Sequence, residues 1–156
     1  MPNDNDCKSN RFRYLDHMTD CIIEAYGRKI EDAFENSALA LVNTMFDINQ
    51  VEIIKQKELT AQGHDLESLL YDFLEKVIIL ISVEGFIAAA FKVEISKNIG
   101  NNDTEGVYSL NAVAKGENVD FKKHSYKVEV KAITYHEMSI VQEKNRRVKI
   151  RFLIDL

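Results

Sequence analysis

Glycine is scarce in this sequence, at six of 156 residues, and tryptophan is missing. With so little glycine, no loop has the composition of a phosphate cradle, and neither GxxxxGK[ST] nor GxGxxG occurs. The nucleophile elbow GxSxG, the zinc-protease motif HExxH and a paired CxxC are missing too. Nothing in the sequence thus builds a self-contained catalytic apparatus. Proline occurs once, at Pro2, and cysteine twice, at Cys7 and Cys21. Two thiols without a framework do not suggest a disulfide-stapled secreted fold, and the start MPNDNDCKSNR has no apolar core of the secretory type. The expected compartment is the reducing cytoplasm, or the nucleus as well in a eukaryotic cell. The longest apolar stretch, Val77 to Val83, is interrupted by Ser82 and is far too short to span a bilayer, so no membrane is expected as a partner. An excess of positive charge is also missing. Lysine and arginine number 20 against 25 acidic residues, for a net charge of −5. A chain that held nucleic acid by its overall charge would be basic, so contact with RNA is expected through a protein partner or a small local patch.

What the sequence does contain is ordinary for one globular domain, with 46% apolar and 29% charged residues. Residues 1–10 are rich in Asn and Asp and carry no hydrophobic pattern, which predicts a flexible tail before a single domain over 11–156. Two helices are predicted from apolar residues at three- and four-residue spacing. The first holds Ile30, Ala33, Phe34, Ala38, Leu41, Val42, Met45 and Phe46, and Gly27 breaks the chain before it. The second holds Leu66, Leu69, Leu70, Phe73, Leu74, Val77, Ile78 and Ile81, with Asp65 as its N-cap and Gly85 just past its end.

The remainder predicts strands over Cys21–Tyr26, Gln56–Gln62, Phe86–Ile95, Tyr108–Ala114 and Val128–Tyr135, with a further strand near Ile140. The clearest alternation is the last, where Val148, Ile150, Phe152, Ile154 and Leu156 share a face. Turn formers at Gly100–Asp103 and Glu143–Asn145 separate strands. Two helices and six or seven strands predict an α+β domain, both helices packing on one face of a largely antiparallel sheet.

Three constellations carry chemistry. Asp16-His17-Met18-Thr19-Asp20 precedes a strand, and Asp155-Leu156 ends the sequence, where a terminal carboxylate adjoins a side-chain carboxylate. Carboxylates are the ligands of hard divalent cations, but spacing alone does not bring Asp20 beside Asp155. In the third, Lys131 to Met138, His136 stands beside Glu137, either a proton-transfer pair or two exposed neighbours at a hairpin. His64-Asp65 reads as a cap with a bystander histidine. Lys122-Lys123-His124 reads as a small solvated basic loop, able to touch phosphate or an acidic partner.

Taken in order, these segments resemble the archease family. Tyr14 to Asp20 is similar to the family's Y-x-[ED]-H-T-A-D opening, and Glu31-Asp32-Ala33-Phe34-Glu35-Asn36 to its L-E-E-A-F-E-N. Ala25-Tyr26-Gly27, Gln62 to Tyr71, Glu84-Gly85-Phe86, Glu129 to Met138 and the closing Ile154-Asp155-Leu156 follow in register. Met18-Thr19 departs from the family's Thr-Ala, and His64 stands where Asp is common. The resemblance implies a single α+β domain related to strand–helix–strand–strand modules. It also implies an accessory role rather than catalysis. Archeases activate the GTP-dependent tRNA-splicing RNA ligase, promoting its guanylylation and repeated turnover, and meet tRNA only through that ligase. By motif, the family's metal ligands fall on Asp20, Asp155 and Leu156, for a divalent cation with Ca²⁺ foremost and Mg²⁺ or Mn²⁺ as alternatives. Lys131 and His136 match residues of the family's partner surface or activity. The competing readings are a small metal-dependent hydrolase or nuclease using Asp20, Asp155 and His136, and a general chaperone-like binding protein.

Overall fold

The computed structural model describes residues 11–16, 20–98 and 107–156, with only the main chain of Asp16. The 1–10 tail, the His17-Met18-Thr19 part of the opening motif and the Gly100–Asp103 turn lie outside the described residues. The element order is β1 (Phe12–Asp16), β2 (Asp20–Gly27), α1 (Ile30–Met45), a short 3₁₀ turn (Ile48–Gln50), β3 (Lys55–Gly63), α2 (Leu66–Ser82), β4 (Phe86–Asn98), β5 (Val107–Asn118), β6 (Ala132–Gln142) and β7 (Val148–Asp155). The architecture is α+β with two helices, and every strand pairing is antiparallel.

The strands divide between two sheets, ordered β1-β2-β7-β6 and β3-β5-β4. Each helix touches both. Helix α1 lies against β2 and β4, and α2 against β3 and β6. The helical stripes explain this arrangement. Ala33, Phe34, Leu41 and Val42 of α1 and Leu69, Leu70, Phe73, Leu74 and Val77 of α2 are fully buried, in one core with Ile23, Phe86, Ile87, Ile150 and Phe152 from the sheets. Phe73 sits at the junction, its ring centroid 6.2 Å from Phe34 and 6.1 Å from Phe91.

Both helices are entered in the same way, by a strand that ends in glycine. A Cβ on Gly27 would collide with the main-chain nitrogen of Ala33, and one on Gly63 with that of Leu69. Glycine is needed at both places because strand end and helix start pack backbone against backbone. Asp65 caps α2 as its position predicts, its Oδ1 accepting the Ser68 N–H at 2.7 Å. In α1 the acidic residue lies inside the first turn instead, where Asp32 accepts the Lys29 N–H.

Two strands differ from the sequence reading. Phe12–Asp16 forms β1, an edge strand too short and polar to show alternation. The segment expected as Val128–Tyr135 begins as a strand only at Ala132 and runs to Gln142, so Ile140 belongs to the same strand. Its register with β7 shifts between Thr134 and Ser139, and Glu137 has a positive φ of 59°. The bulge frees Tyr135 to stack on Tyr71 of α2, with ring centroids 4.5 Å apart.

Candidate functional site

The β2–β7 ladder decides what spacing left open. Asp20 and Asp155, 135 positions apart in sequence, are direct partners across it. Side chains of such partners leave the sheet on the same face, with Cβ atoms about 4.5–5.5 Å apart. Cys21 and Ile154, the next rung, face the core, so the two aspartates face outward. Both are half-buried. Leu156 packs its side chain against the core cluster, which fixes the main chain immediately after Asp155. Lys131 adjoins the same corner, where its N–H donates to the Asp155 carbonyl at 2.8 Å.

His136 is not on this rung. It is exposed in the β6 bulge opposite Phe152, three residues along β7 from Asp155, or about 10 Å at strand spacing. Its N–H donates to Thr134 Oγ1 at 3.1 Å. Among the described residues no three His, Cys, Asp or Glu side chains gather as a metal cluster. The donor set at the corner is therefore two carboxylates with main-chain oxygen nearby. This chemistry suits a hard cation that keeps part of its water shell, and does not suit a thiolate- or imidazole-binding metal.

From that corner the outward face of the sheet changes character rung by rung. Ile22 pairs with Leu153, then Glu24 with Arg151, then Tyr26 with Lys149. Glu24 is almost fully buried, and Arg13 on β1 bonds it through Nε at 2.7 Å and also through Nη2. The pair raises the Arg13 pKa, chiefly through that hydrogen bond. Beyond Tyr26 the face ends in an open cavity of about 480 Å³ lined by Tyr26, Gly27, Arg28, Asn145, Arg146 and Arg147. No motif in the sequence pointed to it. The available signal was Asn145-Arg146-Arg147 at a hairpin tip.

The Lys122-Lys123-His124 loop corrects its sequence reading. His124 is buried, 1% exposed, and Lys123 is committed to carboxylates. Glu117, seven residues earlier on β5, organises the group. Lys123 Nζ donates to its Oε1 and Oε2 at 3.0 and 2.9 Å, the Glu52 N–H donates to its Oε2, and His124 Nε2 lies 3.2 Å away. His124 Nδ1 accepts the Asp120 N–H at 2.9 Å, which fixes the ring against the loop backbone. The Lys123 and Glu52 donors hold the Glu117 carboxyl down at about 2, against an ordinary value of 4.5. A lowered folded-state pKa contributes stability that is fully present above the unfolded value and is lost as pH falls toward the folded one. Glu117→Gln should therefore lower stability at neutral pH and flatten its fall between about pH 4.5 and 2, as read by urea unfolding at stepped pH. An unchanged acid limb would remove Glu117 from that role.

Comparison with known proteins agrees with this fold. The model of the archease protein family (MTH1598/TM1083) matches residues 12–156. The chain belongs to the archease family. It is 40% identical over 146 residues to a protein archease of Pyrococcus abyssi, covering 94% of this chain and 99% of that one. A protein archease of Sulfolobus acidocaldarius is 38% identical over the same share of each chain. The solution structure of protein 1598 of Methanobacterium thermoautotrophicum superposes with a TM-score of 0.75 at 30% identity, covering 94% of this chain and 99% of that one. As an archease it carries, among the described residues, no helix long and apolar enough to cross a membrane.

Proposed function

We propose that this archease is an accessory protein, not an enzyme, that activates a GTP-dependent tRNA-splicing RNA ligase in the cytoplasm. It promotes guanylylation of the ligase and repeated turnover in exon joining, and the tRNA exons are held and joined by that partner. The observation that carries the reading is the pairing of Asp20 with Asp155 across β2 and β7, with Lys131 bonded to the same corner. Asp20, Asp155 and a main-chain oxygen of Leu156 would hold a divalent cation, Ca²⁺ foremost, with Mg²⁺ or Mn²⁺ as alternatives. Such a cation supplies positive charge of the kind that offsets triphosphate charge in nucleotidyl transfer. Two carboxylates on the outward face at a sheet corner, with exposed Lys131 beside them, support a surface that meets a partner. The chain's net charge of −5 fits a protein partner better than direct RNA recognition across its surface.

The test combines the chain with its cognate ligase, GTP and a cleaved tRNA, with and without Asp20→Ala. Expected is stimulated guanylylation of the ligase by the unaltered chain, and loss of most of the cation affinity and most of the stimulation in the variant. Full stimulation by Asp20→Ala would overturn the metal reading, and RNA cleavage by the chain alone would select the hydrolase reading instead.

A further inference from the structure

The cavity at the far end of the β2–β7 ladder is assigned no role by the ligase reading. It lies about 23 Å from the Asp20–Asp155 rung, the length of the seven residue steps of β2. Its lining holds three arginines, one tyrosine, one asparagine and one glycine, and no acidic residue. In a chain of net charge −5, that is a concentration of positive charge against the overall sign.

The arginines are held in different ways. The Arg147 guanidinium carbon lies 4.1 Å from the Tyr26 ring centroid, and its Nε donates to Glu143 Oε1 at 2.7 Å. Stacking and that bond fix the plane of the fork and leave its terminal N–H groups to point elsewhere. The nearby carboxylates are already engaged. Glu143 serves Arg147, Glu24 serves Arg13, and Asp32 accepts the Lys29 N–H.

Arg146 is the more telling residue. The Arg146 N–H donates to the Glu143 carbonyl at 2.9 Å and the Glu143 N–H to the Arg147 carbonyl at 2.8 Å, closing the β6–β7 hairpin. Arg146 takes the left-handed position of this turn, with φ of 68°. Hairpins of this length place glycine there. An arginine at that position opposes local backbone preference, and its exposed side chain joins Arg28 at the cavity wall. Strained positions of this kind are retained where the side chain has a use.

We propose that this cavity binds phosphate groups, those of a nucleotide or of an RNA strand, between Arg28, Arg146 and Arg147 beside the Tyr26 ring. Guanidinium forks match phosphate oxygens bidentately, and a cavity of this size accepts a single nucleotide unit. The site stands apart from the aspartate corner and needs neither a metal nor the ligase.

The test uses the chain alone in EDTA, with a fluorescein-labelled single-stranded oligoribonucleotide read by anisotropy and with GTP and pyrophosphate as competitors. Arg28→Ala combined with Arg146→Gly is expected to weaken RNA binding at least about tenfold and to make the log K against log salt slope shallower by about 1.4. Arg146→Gly suits the turn better than arginine, so the variant should melt no lower than the parent and the loss cannot be ascribed to unfolding. Lys55→Ala combined with Lys122→Ala removes the same charge elsewhere and should leave binding unchanged. Displacement of RNA by GTP identifies a nucleotide site, and RNA binding that GTP does not displace identifies the strand as the ligand. If neither RNA nor GTP binds below millimolar concentration, or if the control pair weakens binding equally, the proposal fails.

Discussion

Phe73→Ala is expected to lower the melting temperature by roughly 6–20 °C, the equivalent of about 3–5 kcal/mol in a domain of this size. Phe73 has no exposed surface, and its ring contacts both Phe34 of α1 and Phe91 of β4. It is thus shared by the two helices and by the β3-β5-β4 sheet, while α1 also rests on β2 of the other sheet. Truncation leaves a void that rigid neighbours on three elements cannot close together, which puts the loss toward the upper part of the range. Phe73→Leu retains most of the volume and should lose no more than about 1.5 kcal/mol. Calorimetry or thermal circular dichroism on the three proteins checks both. A fall of less than about 3 °C in the alanine variant would mean that the helices do not share a single core.

That shared core is also why the helices could be read from sequence while the sheets could not. Helical order is written at three- and four-residue intervals, and the stripes predicted for Ile30–Phe46 and Leu66–Ile81 became α1 and α2 to within a residue. The α2 cap was legible for the same reason, since Asp65 and Ser68 are three residues apart. Alternation likewise marked β7, whose core-facing residues are buried. Sheet membership has no such local record. That β3, β5 and β4 form one sheet and β2 and β7 another depends on pairing between distant segments. The bulge of β6 was invisible because the residue it brings Tyr135 against, Tyr71, sits on a helix more than 60 positions earlier.

The candidate site divides along the same line. Residue types and motif order singled out Asp20, Asp155, Leu156 and Lys131, but only the ladder register places them at one corner. His136 was marked by the same motif, but it lies four residues along β6 from Ala132, the partner of Asp155, and so off that rung. His124 shows the opposite error. Two lysines before a histidine suggest solvent, yet Glu117 draws Lys123 inward and encloses the histidine. Composition reports average exposure, and one buried carboxylate with several donors reverses it locally. The arginine cavity went unread because its lining comes from two hairpin and helix-entry segments about 120 positions apart.

Asp155→Asn should reverse its order of stability against the parent once a divalent cation is added. Without metal, Asp20 and Asp155 are like charges directly opposite on adjacent strands, an arrangement that costs about 0.2–1 kcal/mol. Neutralising one removes that repulsion, so in EDTA the variant should melt at the same temperature as the parent or a few degrees above it. With cation the order reverses. A ligand present at about 100 times its dissociation constant stabilises the folded state by about 2.7 kcal/mol, or roughly 5–11 °C here. The parent should gain that increment with Ca²⁺, and the variant little of it. Asp20→Asn should likewise lose the cation increment, and the double variant should lose no more of it than either single one, because both remove the same binding event. Merely structural aspartates would give the opposite pattern, with lower stability in EDTA and equal cation responses in parent and variant. Differential scanning fluorimetry across Ca²⁺, Mg²⁺ and Mn²⁺ separates the two. A parent that gains nothing from any of the three ions would remove the cation from this corner, and would leave the Asp20–Asp155 rung as an acidic contact surface for the partner.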